Sequence, residues 1–173
     1  MGYTLLEGLM MGTRCGDLDP AIVFLLQEKE GLSTDEIDML LNKQSGLKGT
    51  CGSNDMRDIL QRCEKGDTLA ILARDAFVHR IRRYLGAYLA ELPQCHAIIF
   101  TGGIGENSAE IRNIVCKDLE HIGIVINQQK NNNHPLNTNF NISQDSFTIK
   151  IFAQPTDEEL MIAQKTVEVL LDI

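Results

Sequence analysis

The sequence predicts an α/β domain, and three observations carry that prediction. Ala97-Ile98-Ile99-Phe100 is a short, β-branched apolar run bounded by turn residues, which reads as a buried strand; helical spacing follows at Ala109, Ile111, Ile114 and Val115. Residues 67–91 carry apolar side chains at three- and four-residue steps, the longest helical pattern in the chain. Two further strand-like stretches, 122–126 and 147–152, come after it. A chain of 173 residues with 43% apolar content can bury a substantial core, as one domain or one domain with an appendage.

Residues 1–20 are rich in glycine and apolar side chains with nothing leading up to them, the pattern expected of a piece cut from a longer chain. Asp19-Pro20 then starts a first helix, with Asp19 as cap, Ile22, Leu25 and Leu26 as its apolar stripe, and Gly31 near its end. Ser33 and Glu36 have the spacing of a capping box for a second helix, whose Ile37, Leu40 and Leu41 share a face. Residues 46–52 read as a loop. Ser53 or Asn54 caps a third helix with Asp55, Met56 and Arg57 in its first turn. The long pattern of 67–91 predicts a central buried helix stopped by Pro93, with Arg80, Arg82 and Arg83 as a solvated face or as partners of other helices.

Beyond the strand at 97–100, Asn107 and Glu110 have capping-box spacing for a helix over 107–121. A strand at 122–126, a polar loop over 127–141 and a strand at 147–152 complete the α/β pattern. Pro155-Thr156-Asp157-Glu158-Glu159 then turns into a closing helix, capped by Thr156 or Asp157, with Leu160, Ile162, Ala163, Val167, Leu170 and Leu171 as its apolar surface.

A net charge of −8 and a pI near 4.9 argue against nucleic acid or an anionic membrane as partner, since both attract clustered lysine and arginine. Any bound phosphate must therefore be met by local donors. No apolar run approaches the roughly 20 residues of a membrane span, and the expected compartment is the cytoplasm. Five scattered cysteines without C-x-x-C spacing suggest reduced thiols rather than a disulfide framework or a zinc site, and the four histidines are equally dispersed.

Four places carry candidate chemistry. In Phe100-Thr101-Gly102-Gly103-Ile104-Gly105-Glu106-Asn107-Ser108, three glycines in four positions allow a turn that exposes successive backbone N–H groups, with the positive end of the next helix behind them. The stretch lacks the third glycine of a dinucleotide fingerprint and the Gly-Lys-Ser/Thr of a Walker A loop. Glu106 would repel a bare phosphate, so it is expected to face a ribose, solvent or a metal-bound water. The residues alone leave open a plain strand-to-helix turn. Arg14, between Gly12 and Gly16, is either an oriented clamp for a transferring phosphate or a carboxylate, or a turn-stabilising partner of Asp17 or Asp19. Asp55, Met56 and Arg57 either bring N–H groups and side chains to a ligand together or form a routine cap. Glu158 and Glu159 either suit the helix dipole or offer a magnesium carboxylate.

Met1-Gly2-Tyr3-Thr4, Leu6-Glu7-Gly8-Leu9, Met11-Gly12-Thr13-Arg14, Gly16-Asp17-Leu18-Asp19-Pro20 and Ser53-Asn54-Asp55-Met56-Arg57 resemble, in this order, segments of the acetate kinase family. The glycine stretch and Pro155-Thr156-Asp157-Glu158-Glu159-Leu160 continue the resemblance, which runs the length of the chain but covers only about the C-terminal half of such an enzyme. It implies the actin-like, acetate and sugar kinase fold of the ribonuclease H-like class. Residues 1–156 would be most of the second, nucleotide-binding domain, truncated at its start, and 157–173 a closing helix that packs on a first domain outside this chain.

The resemblance also implies reversible phosphoryl transfer from ATP to acetate. Arg14 would stabilise the group in flight, and Glu158 would help hold Mg2+. Asp55, Met56, Arg57, Gly103, Ile104, Gly105, Glu106 and Asn107 would contact the nucleotide. The family's catalytic histidines, its catalytic aspartate and its substrate-carboxylate arginine would precede this chain, which alone should not turn over. A homodimer is implied as well. Leu5 stands where the family usually has a proline in the acyl pocket, which leaves propionate open as the substrate; a non-catalytic nucleotide-binding module is the competing class.

Overall fold

The computed structural model describes residues 2–135 and 138–171. Met1, Leu136, Asn137, Asp172 and Ile173 lie outside the described residues, and with them the first residue of the opening motif, part of the polar loop and the last two residues of the closing helix. The chain divides into two compact units, Met1–Pro93 and Gln94–Ile173.

The first unit is helical. Asp19 Oδ1 accepts from Ala21 N at 2.9 Å at the start of α1 (Ala21–Glu30), and Gly31, at φ 66°, closes it. The stripe of α1 is not a core face here, since Ile22 and Leu25 are exposed and no residue of the helix is buried. The predicted capping box opens α2 (Thr34–Lys43): Ser33 Oγ accepts from Glu36 N, and the Glu36 carboxylate accepts from Ser33 N at 2.8 Å. Ile37 is the buried residue of this helix.

The loop expected at 46–52 is instead a short helix, α3 (Gly46–Cys51). Its first N–H groups are satisfied from the start of the chain, Leu47 N by Met11 O at 3.0 Å and Lys48 N by Gly12 O at 2.9 Å. Leu47 is wholly buried, so a long-range contact outweighs a local sequence poor in helix formers. The next helix, α4 (Met56–Glu64), is capped by Asp55, which accepts from Arg57 N, rather than by Ser53 or Asn54.

Asp67 caps α5 (Thr68–Glu91), accepting from Leu69 N and Ala70 N. This helix buries Ala70, Ala73, Phe77 and Val78 and packs on α3 and α4. Leu69, Leu72 and Tyr88 are exposed, so the helix is buried on one face rather than all round.

In the second unit, β1 (Ala97–Phe100) runs parallel to β3 (Lys150–Ala153), with Ala97 opposite Lys150 and Phe100 opposite Ala153. The short β2 (Phe140–Asn141) pairs antiparallel on the other side of β3, giving the order β1-β3-β2. Central β3 buries Ile151 and Ala153 completely. As an edge strand, β1 buries only Phe100 and leaves Ile99 exposed, which corrects the expectation of a buried strand.

Two helices follow β1, α6 (Gly102–Asn107) and α7 (Ala109–Cys116). Ser108, not Asn107, caps α7 by accepting from Ile111 N at 3.2 Å. The strand expected at 122–126 is a 3₁₀ turn, Glu120–Ile122, with Gly123 at φ 86° reversing the chain; only an isolated bridge, Ile126 to Ser143, remains of it. The polar stretch holds α8 (Gln128–Asn132), capped by Asn127, as well as β2. Asp157 Oδ1 accepts from Leu160 N at 2.8 Å at the start of α9 (Glu158–Leu171), a helix with no buried residue. No helix among the described residues is long and apolar enough to cross a membrane.

Candidate functional site

Arg14 lies in the first unit on a turn whose main chain is held from several directions. Met11 N donates to Arg14 O at 3.1 Å across the turn, Cys15 N to Leu41 O at 3.0 Å, and Ser45 N to Thr13 O at 3.0 Å. The Thr13 hydroxyl donates to Asn42 O at 2.9 Å. Gly46 fits this junction because it is at φ 64° and has no side chain; a β-carbon there would overlap Met11 O and lie 2.7 Å from Arg14 O.

Asp17 closes the base of the turn. Gly8 N donates to its Oδ1 at 2.6 Å, the Tyr84 hydroxyl donates to its Oδ2 at 2.6 Å, and Arg80 donates to its main-chain oxygen. The Tyr84 bond, with smaller help from Gly8 N and the charge of Arg80, holds the Asp17 carboxyl below its ordinary value. The same bond, with burial, pushes Tyr84 up to about 12.

Asp17 is thus engaged by α5, and the pairing of Arg14 with Asp17 or Asp19 does not occur among the described residues. Arg14 Nη1 reaches only the Met11 sulfur, at 3.7 Å, and its Nε is buried without a partner. A guanidinium carries five N–H donors and is always charged, so this turn presents a cation with most of its donors uncommitted. Met11 also lines, with Leu5, Gly8 and Tyr84, a cleft of about 500 Å³ in the same unit.

The Asp55 segment meets this turn. A β-carbon on Gly12 would lie 3.3 Å from Asn54 Cβ, so only a glycine sits here without displacing the neighbour. Arg57 donates to both Asp55 oxygens, at 3.0 and 2.7 Å, and the pair draws the Asp55 carboxyl down to about 2. Arg57 remains 88% exposed and Met56 is buried, so the segment offers a solvent-facing ion pair above a core anchor.

In the second unit, residues 103–107 belong to the six-residue α6 rather than to an open turn. Gly102 adopts φ 73°, and its N–H donates to Thr156 Oγ1 at 3.2 Å. Added β-carbons at Gly102 and Gly103 would meet nothing, so open space lies over this end. At the other end, Asn107 Nδ2 donates to Gly103 O at 3.0 Å, and Arg112 Nη1 donates to Gly105 O at 2.9 Å and Glu106 O at 2.5 Å.

Sequence reasoning missed Arg112. Its side chain is wholly buried, and Asn131 binds it from α8: Nε donates to Asn131 Oδ1 at 2.7 Å and Nη2 to Asn131 O at 3.1 Å. The one available signal was register, because Arg112 shares the buried face of α7 with Ile111, Val115 and Cys116.

Glu158 and Glu159 are exposed in the first turn of α9, while Asp157 is occupied by its cap and Thr156 by Gly102 N. No group of three His, Cys, Asp or Glu side chains suited to a metal occurs among the described residues. Magnesium typically takes one or two carboxylates and leaves its other positions to water and substrate phosphates, and an exposed carboxylate such as Glu158 fits that habit.

Comparison with known proteins gives a consistent match. The acetokinase family model matches residues 1–164. An acetate kinase from Lawsonia intracellularis is 53% identical over 170 residues, 98% of this chain and 42% of its own length. The crystal structure of Porphyromonas gingivalis acetate kinase superposes with a TM-score of 0.89 at 41% identity, covering 98% of this chain and 43% of that one. A propionate kinase structure from Francisella tularensis gives 0.87 at 44% identity, covering 95% and 41%. The fold is therefore that of the acetate and sugar kinases, and the chain spans about two-fifths of the length of the relatives it matches.

Proposed function

The chain belongs to the acetokinase family, and we propose on that premise that it is the nucleotide-handling part of an ATP-dependent acetate kinase. The reaction is the reversible transfer of the ATP γ-phosphoryl group to acetate, giving acetyl phosphate and ADP. One observation carries the reading: Arg14 has a fixed main chain and a guanidinium with no anionic partner among the described residues. In-line phosphoryl transfer requires compensation of charge on the equatorial oxygens and little covalent help. Arg14 provides that compensation by donating in a fork to the group in flight.

Asp55, Met56 and Arg57 hold the nucleotide, Met56 through its buried anchor and the other two through their exposed ion pair. Gly103, Ile104, Gly105, Glu106 and Asn107 lie along it, where glycines permit close approach. Glu158 would help hold Mg2+, which would supply neutralisation of phosphate charge. The same reading sets the protein in the cytoplasm and in a homodimer. Propionate kinase is the second reading, supported by the Francisella tularensis neighbour and by Leu5, which is 46% exposed on the cleft beside Met11.

Calorimetric titration of this chain with Mg-ATP, beside an assay for acetyl phosphate, tests the proposal. Binding without turnover is expected. Absence of binding overturns the nucleotide role, and turnover by this chain alone overturns the assignment of it to an incomplete catalytic half.

A further inference from the structure

A wholly buried arginine is costly unless every donor is matched, and among the described residues Arg112 has no acid as a hydrogen-bond partner. Its donors go instead to the main-chain oxygens of Gly105 and Glu106 and to both oxygens of Asn131. Asn131 in turn donates from Nδ2 to Ala109 O at 2.8 Å, and is itself wholly buried. Besides Asn131 O of α8, the carbonyls so gathered lie in the last turn of α6 and at the first residue of α7, where a six-residue helix holding three glycines is least able to keep its own shape. The cation stands at the C-terminal end of α6, where its charge is favourable to the helix dipole, while at the opposite end Gly102 N donates to Thr156 Oγ1.

We propose that Arg112 and Asn131 form a latch that sets the position of α6, making both of them positioning residues for the glycine segment. The latch is defined by the hydrogen bonds above. Its bearing on ligand affinity rests on the nucleotide role proposed for that segment. In that role, the latch fixes where the main chain of Gly103 to Asn107 lies along the nucleotide, beside the space over Gly103 that an added β-carbon would find empty.

The experiment is amide hydrogen exchange on the 173-residue chain, wild type and Asn131→Ala, read at Glu106, Asn107 and Ser108 and, for reference, at Ile142. Ser108 N bonds Ile104 O within the latched segment, and Ile142 N bonds Ile151 O in the sheet of the same unit. Loss of the latch is expected to speed exchange at the α6 positions by about tenfold or more relative to Ile142. Asn131→Asp keeps an acceptor for Arg112 Nε and is expected to stay near wild type. Arg112→Lys, which reaches one side of the latch but not both, is expected to fall between. A uniform rise across α6 and the sheet, or none at all, overturns the latch, because a merely structural role weakens both alike.

Mg-ATP titration of the same proteins separates the two claims. Affinity is expected to fall by about tenfold in Asn131→Ala. Wild-type chain that binds no nucleotide while the exchange contrast persists overturns the nucleotide role and supports the latch. Wild-type binding without the exchange contrast does the reverse.

Discussion

Two arginines organise two regions of this protein in opposite ways. Around Arg14 the main chain is held by other main-chain groups and by Thr13 and Asp17, so the guanidinium is left with a thioether contact and an unpartnered Nε. Around Arg112 the guanidinium itself does the holding, and each of its three nitrogens has a partner. Burial pulls the Arg112 guanidinium below the usual arginine value, yet four acceptors keep it in place. A charge that is to act on a ligand needs a scaffold that does not consume it. A charge that is to act as scaffold needs acceptors on every side.

That contrast predicts a ranking of effects. Under the proposed function, Arg14→Ala in a complete acetate kinase containing this chain is expected to lower kcat on the order of 1,000-fold while raising the KM for ATP far less. Arg14→Lys keeps a charge but loses the fork, and should recover only part of the rate. A loss that falls on KM alone removes the transition-state role. Next comes Gly46→Ala, which puts a methyl group against Met11 O and Arg14 O in a left-handed conformation. Destabilisation of about 1–3 kcal/mol is expected from strain of this kind, seen as a lower midpoint in urea. A variant as stable as wild type shows that α3 and the Arg14 turn can separate without consequence.

The same two regions show what a sequence discloses. Signals that act within one turn were legible: the Ser33–Glu36 box, Gly31 as a stop, and the strand–glycine–helix order around residue 100. Whatever depends on a partner far along the chain was not. The Gly46 helix exists because Met11 and Gly12 supply carbonyls, and Arg112 is neutral to sequence reading until Asn131 is folded against it. Arg80 read as a solvated or interhelical charge, but its partner is the Asp17 turn. Of the candidate site, the glycine-flanked turn at Arg14 and a helix start near Asp55 could be read, although Asp55 is itself the cap. Whether Arg14 pairs with Asp17 could not, since that depends on Tyr84 and Arg80 of α5 reaching the Asp17 turn.

Gly103→Val is expected to have a smaller effect than either change at the Arg14 turn. The open space over Gly103 accepts a side chain, so the fold should persist by circular dichroism while Mg-ATP affinity falls by about tenfold. Unchanged affinity takes α6 out of the nucleotide site and leaves Arg112 holding a purely architectural helix.

The smallest effect belongs to the bond between Tyr84 and Asp17, and its sign can be worked out at both ends of the pH scale. Asp17 has its folded value below the ordinary 3.8, so its contribution is present above that pH and is lost as pH falls toward the folded value. Tyr84 is raised from 10.0 to about 12, so its contribution is present below pH 10 and is lost as pH climbs through that interval. Tyr84→Phe removes the shared bond while Gly8 N and Arg80 still hold Asp17. The melting temperature of the variant should therefore lie below wild type across the neutral range, with the gap narrowing in acid and again in strong base. A gap that stays constant at both extremes means the hydroxyl contributes by packing alone, and the Arg14 turn is then fixed by its main chain without help from α5.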